Sequence, residues 1–143
     1  MKAKIDERPE TNKKRETNEK LEANKKTVLA FYEAGINNKD FDAASKLIGK
    51  RYVQHDPGIA DGPEGLKAFL GVFKAQFPNL HADIKQIFAD GDFVIAHVHG
   101  VRVPGERGSA IVDIFKLEDG KIVEHWDVRQ PIPETSANPN SMF

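Results

Sequence analysis

Hydrophobic positions along the chain follow two periods. Leu21, Val28, Leu29, Tyr32 and Ile36 fall on one stripe of a helix that starts near Leu21 and ends near Gly35 and the Asn37, Asn38 pair. Asp40 is placed to cap a short second helix through Ala43, Ala44, Leu47 and Ile48, with Gly49 closing it. Pro63 suits the first position of a third helix, where a missing N–H leaves nothing unpaired. Leu66, Phe69, Leu70, Phe73 and Phe77 then recur at intervals of three and four until Pro78 stops the helix. After Leu80 the period becomes alternating, over residues 81–89, 92–103, 108–117 and 121–130, with Gly and Pro between the segments. Arg51 to His55 adds an edge strand. Helices followed by a short-looped meander predict an α+β fold, in which three N-terminal helices cover one face of a mainly antiparallel sheet and leave a pocket beneath them.

The chain has 143 residues, 39% hydrophobic and 30% charged, which suits one domain with a core of its own. That domain is expected at 21–133, between a polar tail at 1–20, disordered or helical, and a Pro- and Asn-rich C-terminal tail at 134–143. The sequence has no cysteine, so thiol nucleophiles, CxxC redox sites and thiolate metal clusters are excluded. A formal charge of -1 gives no global field for nucleic acid or an anionic membrane, and neither is expected as a partner. There is no apolar run of signal or membrane-spanning length, so the expected location is cytoplasmic.

Polar residues interrupt the faces that should be apolar. In the third long segment that face reads Ile111, Asp113, Phe115, Leu117; in the fourth it reads Ile122, Glu124, Trp126, Val128; in the second, Phe93, Ile95, His97, His99, Val101. Asp119-Gly120 signals a two-residue hairpin, which would pair Leu117 with Ile122, Phe115 with Glu124 and Asp113 with Trp126. A five-residue loop from Pro104 to Gly108 would set His99 opposite Asp113. The expected site is therefore Asp113 between His99 and Trp126, with His97 and Glu124 one pair further along. Desolvation raises the basicity of such a carboxylate, and an imidazole beside it can relay the proton. This suits proton transfer next to a carbonyl and needs no cofactor. The alternative is that His99 and Asp113 form a buried pair that only holds the sheet. His97 and His99, with His55 or Glu124, have the spacing of a weak metal motif, but no metal is expected. His55 and Asp56 face the pocket mouth, unless Asp56 merely caps the Pro57 turn.

Tyr52-Val53-Gln54-His55-Asp56-Pro57, Gly62-Pro63-Glu64-Gly65, Val112-Asp113-Ile114-Phe115 and Asp119-Gly120-Lys121-Ile122-Val123-Glu124-His125-Trp126-Asp127 together resemble the SnoaL-like polyketide cyclases of the nuclear transport factor 2-like superfamily, over about 22–133. The resemblance implies a cone-shaped α+β roll, usually a homodimer, with a deep pocket. It also implies a cofactor-free intramolecular aldol condensation or an isomerisation, of lyase or isomerase type, on a small apolar carbonyl compound. Asp113 matches the acid/base aspartate of the cyclases, and His99 best matches the assisting histidine. By likeness to ketosteroid-isomerase-like members, Asp56 falls near the base and Asp113 near the oxyanion-stabilising acid. Catalytic Asp113 and His99, with His55, Asp56, His97, Glu124 and Trp126 in the pocket, make up the expected site. The reading from another class is a non-catalytic ligand-binding or dimeric interaction module of the same fold.

Overall fold

The computed structural model describes residues 9–143. In chain order they form α1 (Glu10–Phe31), a π-helical segment (Tyr32–Asn37), α2 (Phe41–Ser45), β1 (Ile48–Gln54), α3 (Gly62–Gln76), β2 (His81–Asp90), β3 (Phe93–Val101), β4 (Ser109–Glu118) and β5 (Lys121–Pro131). The strands make one sheet in the order β1-β5-β4-β3-β2. Neighbours in the meander are antiparallel, and β1 lies parallel to β5 at the edge. Three helices on one face of this mostly antiparallel sheet are the α+β layout that the two periods predict. Among the described residues no helix is long and apolar enough to cross a membrane.

Local chemistry explains most boundaries. α1 starts at Glu10 rather than near Leu21, because its first turns are rich in Glu and Lys, which favour helix without needing burial. Lys20 reaches Asp92 at 2.5 Å and ties that polar stretch to the β2–β3 turn. The remainder of the expected tail, residues 1–8, lies outside the described residues. On α1 the buried positions are Asn24, Val28 and Phe31, whereas Leu29 is 43% exposed. Asp40 caps α2 as expected, accepting from the Ala43 N–H at 3.0 Å. α2 nevertheless ends at Ser45, and Ile48 and Gly49 belong to β1 instead of closing a helix. The reason is tertiary: the Leu47 carbonyl accepts from the Ile122 N–H at 2.9 Å, and Ile48 pairs with Ile122. In α3 Pro63 sits in the first turn, and Gly65 lets the helix approach Ala60 so closely that a Cβ there would lie 1.7 Å from the Ala60 carbonyl oxygen.

The core lies between the sheet and the helices, where Val94, Val98, Phe115, Leu117 and Ile122 meet Val28, Phe31, Tyr32 and Leu70. Phe31 packs edge-on to Phe115, ring centroids 5.8 Å apart.

Two registers depart from expectation, and both move the site. The Asp119-Gly120 turn, with φ of 50° and 74°, pairs Leu117 with Ile122 as the dipeptide predicts. A β-bulge then adds Val123 to β5, so Lys116 faces Glu124, Phe115 faces His125 and Asp113 faces Asp127. Ile122 and Val123 are consequently both buried, with the Val123 side chain against Gly49 of β1. Beyond the bulge Glu124 and Trp126 turn to the outer face, and His125 and Asp127 turn inward. In β3, Ala96 rather than His99 lies opposite Asp113, and His99 pairs with Ala110. The offset from expectation is odd, so the buried face of β3 is Val94, Ala96 and Val98 while His97 and His99 point away. The β3–β4 connection is wider than expected because it closes through Gly108 (φ 74°), where a Cβ would lie 2.2 Å from the Gly100 carbonyl oxygen.

Candidate active site

The space between the helices and the inner face of the sheet is a cavity of about 880 Å³. Phe31, Leu66, Phe69, Phe73, Leu80 and Val98 supply apolar wall, Asp113, His125 and Asp127 of β4 and β5 bring titratable groups from the sheet, and Asp56, Arg102, Glu106, Arg107 and Arg129 add further charge. The π-helical segment starts at Tyr32, whose hydroxyl donates to Oδ2 of Asp113. Oδ1 of Asp113 lies 2.7 Å from Nε2 of His125, with both side chains buried.

The network assigns the histidine tautomer. Oε1 of Gln54 accepts from the Asp56 backbone N–H at 2.9 Å, so the atom facing that donor is the amide oxygen. The same oxygen lies 2.8 Å from Nδ1 of His125, so Nδ1 carries hydrogen. The remaining ring nitrogen, Nε2, therefore shares a single proton with Asp113 across their hydrogen bond.

A second proton-sharing pair adjoins the first. Burial pushes Asp127 up to about 7, helped by its hydrogen bond to Asp56 and by the charges of Asp113 and Asp56, against the pull of His125. Burial would also raise Asp56, but the hydrogen bond with Asp127, the Gly58 N–H, His125 and Arg129 outweigh it and hold this carboxyl below its ordinary value. Of the two, Asp127 holds the proton and Asp56 the charge. Burial, with Asp127 nearby, raises the phenol of Tyr52 despite a hydrogen bond to Gln54, and keeps it a neutral donor.

Of the residues expected at the site, Asp113 and Asp56 line the cavity. His55, His97, His99, Glu124 and Trp126 do not. His99 lies 2.8 Å from the Arg107 carbonyl oxygen through Nε2, and both His97 and His99 pack on the Phe143 ring, centroids 5.2 and 4.8 Å away. His55 meets Glu124 at 2.8 Å and stacks on Trp126 at 4.6 Å, which joins β5 to the end of β1. Asp113 thus loses His99 as its expected neighbour and gains His125, because register and bulge reverse which side chains face it. The reading by alternation left out His125 and Asp127 and took Tyr32 only as part of a helical stripe. The available signal for the first two was Ile122-Val123, adjacent apolar residues just after a hairpin turn, a pattern that a bulge accommodates.

Asp113, His125 and Asp127 have ligating atoms within 4.8 Å of one another. A cation held by the first two would have to break their 2.7 Å hydrogen bond, so the cluster as arranged is suited to sharing protons.

Residues 26–133 match the SnoaL-like polyketide cyclase family. The chain belongs to this family. Its fold is found in TsrD from Streptomyces laurentii, with 20% identity over 75% of this chain and 88% of that one and a TM-score of 0.63. IdmH from Streptomyces antibioticus, a proposed polyketide cyclase, is 24% identical over 74% of this chain and 91% of its own, with a TM-score of 0.61. A nuclear transport factor 2-like protein from Cytophaga hutchinsonii is 21% identical over 76% of this chain and 90% of its own, with a TM-score of 0.63. No curated protein matches significantly. At these identities the structures show the fold of a SnoaL-like chain, and the chemistry must be argued from the cavity.

Proposed function

We propose that this SnoaL-like protein is a cofactor-independent acid/base enzyme that acts on a small apolar carbonyl compound, by intramolecular aldol condensation or by isomerisation. The observation that carries the reading is Asp113: a buried carboxyl group at the cavity wall, held by Tyr32 on one oxygen and on the other by a histidine whose tautomer is set. Asp113 takes the acidic proton from the carbon next to a carbonyl, while the Nε2–H of His125 steadies its ionised form before the step and can be passed on once that proton has been taken. The cavity folds the chain so that the resulting enolate carbon lies near a second carbonyl, which replaces an improbable encounter by an oriented one.

Deuterium uptake from heavy water into a panel of small ketones and β-keto esters tests this without knowledge of the natural substrate. Uptake above buffer, reduced about 100-fold or more in Asp113→Asn, is expected of general-base chemistry. Uptake no faster than in buffer, with ligands bound, would make the protein a binding module. The reading includes a homodimer, and light scattering that gives the mass of one chain would remove that part.

A further inference from the structure

Asp127 is a half-buried acid that the proton abstraction does not use. It lines the cavity, shares a hydrogen bond with Asp56, and its Oδ2 lies 3.9 Å from the same Nε2 of His125 that meets Asp113 at 2.7 Å. One ring nitrogen thus faces two carboxyl groups. Gln54 holds the other nitrogen, so the ring is fixed in this orientation.

We infer that Asp127, hydrogen-bonded to Asp56, is the general acid that protonates the acceptor carbonyl oxygen, and that His125 carries the proton from Asp113 back to it. The inference rests on the aldol reading of the site. At rest the Asp113–His125 pair holds one proton, on Nε2, and Asp127 holds another. Asp113 removes the α-proton, the C–H electron pair becomes an enolate, and the enolate carbon bonds to the second carbonyl carbon as its C=O π bond breaks. The oxygen left with that electron pair takes the proton of Asp127. His125 then passes its Nε2 proton to Asp127, and Asp113 passes the one it took from carbon to His125. The aldol addition neither gains nor loses protons, and this circuit restores every group without solvent.

The charged or titratable groups that act on Asp127 are Asp113 on β4, His125 on β5, Tyr52 on β1 and Asp56 on the loop after β1, while Arg129 on β5 acts on Asp56. Burial keeps Asp127 protonated up to about pH 7, which makes it an acid under neutral conditions.

The test uses heptane-2,6-dione, which carries both an acidic carbon and an acceptor carbonyl, and follows deuterium uptake and ring closure together by NMR. Wild type is expected to catalyse both, and Asp113→Asn neither. In Asp127→Asn ring closure should fall about 100-fold while uptake falls less than about tenfold. Asp56→Asn, which leaves Asp127 in place without its anionic partner, should move the alkaline limb of ring closure to lower pH while the limb for uptake stays. A merely structural role would not split the two rates or shift one limb alone. Equal loss of both rates in Asp127→Asn, or no loss of either, overturns the inference and leaves the aldol reading intact. A wild type inert in both assays overturns both.

Discussion

At the scale of single residues, Gln54 decides what His125 can do. Its amide oxygen is oriented by the Asp56 N–H and in turn holds Nδ1–H, so Nε2 is free to face Asp113. Gln54→Met keeps the volume but leaves Nδ1–H without a buried acceptor. Denaturant unfolding should show a loss of about 1–3 kcal/mol, and deuterium uptake should fall by about tenfold or more, as with other mis-set catalytic tautomers. Asp127 gives a prediction of known sign. Its folded-state value of about 7 lies above the ordinary 3.8, so the folded protein binds this proton more tightly than the unfolded chain. The stability it contributes is complete below about pH 3.8 and is lost as pH rises through about 7. Asp127→Asn should therefore raise the melting temperature relative to wild type at pH 8, with the advantage shrinking towards pH 4, as thermal scans across that range would show. His99, expected beside Asp113, instead meets the Arg107 carbonyl on the far side of the sheet. His99→Ala should change deuterium uptake by less than about twofold, the scale of surface substitutions.

At the scale of elements, the bulge in β5 is the device that builds the site. One extra residue at Val123 turns every following side chain to the opposite face, so His125 and Asp127 reach the cavity while Glu124 and Trp126 leave it. Gly49 on β1 makes room, since a Cβ there would come within 3.0 Å of Val123 Cγ1. Gly49→Ala should cost about 1–3 kcal/mol by overpacking. Adding Val123→Ala should return part of that loss, and a double-mutant cycle by chemical denaturation would measure the coupling. The π-helical segment has a comparable role on the helical side. It ends in Asn37, whose side chain pairs with the backbone N–H and C=O of Ala82 at 2.8 and 3.2 Å, and it begins at Tyr32, which reaches Asp113. Helix and sheet are thus joined on both sides of the cavity by hydrogen bonds that a regular helical stripe does not announce.

At the scale of the whole molecule, the sheet has a cavity on one face and a C-terminal segment on the other. Phe143 packs on His97 and His99, and Lys85 lies over the same ring at 5.9 Å. None of residues 134–143 lines the cavity. A chain ending at Pro133 should keep deuterium uptake within about twofold while losing the contacts that cover the two histidines; heat-denaturation curves and the uptake assay report the two effects separately.

The order of helices and strands, the Asp40 cap, the Pro63 start of α3, the Asp119-Gly120 turn and the inward face of β4 that delivers Asp113 were all determined by the sequence alone. Each rests on local chemistry: a capping oxygen, a missing N–H, a positive φ, a period of two within one strand. The partners of Asp113 were decided by the tertiary structure. A period of two places a strand's side chains relative to one another, but in β3 and β5, where polar residues interrupt the apolar set, it does not say which set faces the helices. Here that choice rests on an extra residue accommodated beside Gly49 and on a glycine-closed loop that offsets β3 from β4. Burial against the helices selects Val94, Ala96 and Val98 for the inner face, and the cost of burying a carboxyl group without partners selects Tyr32 and His125 for Asp113.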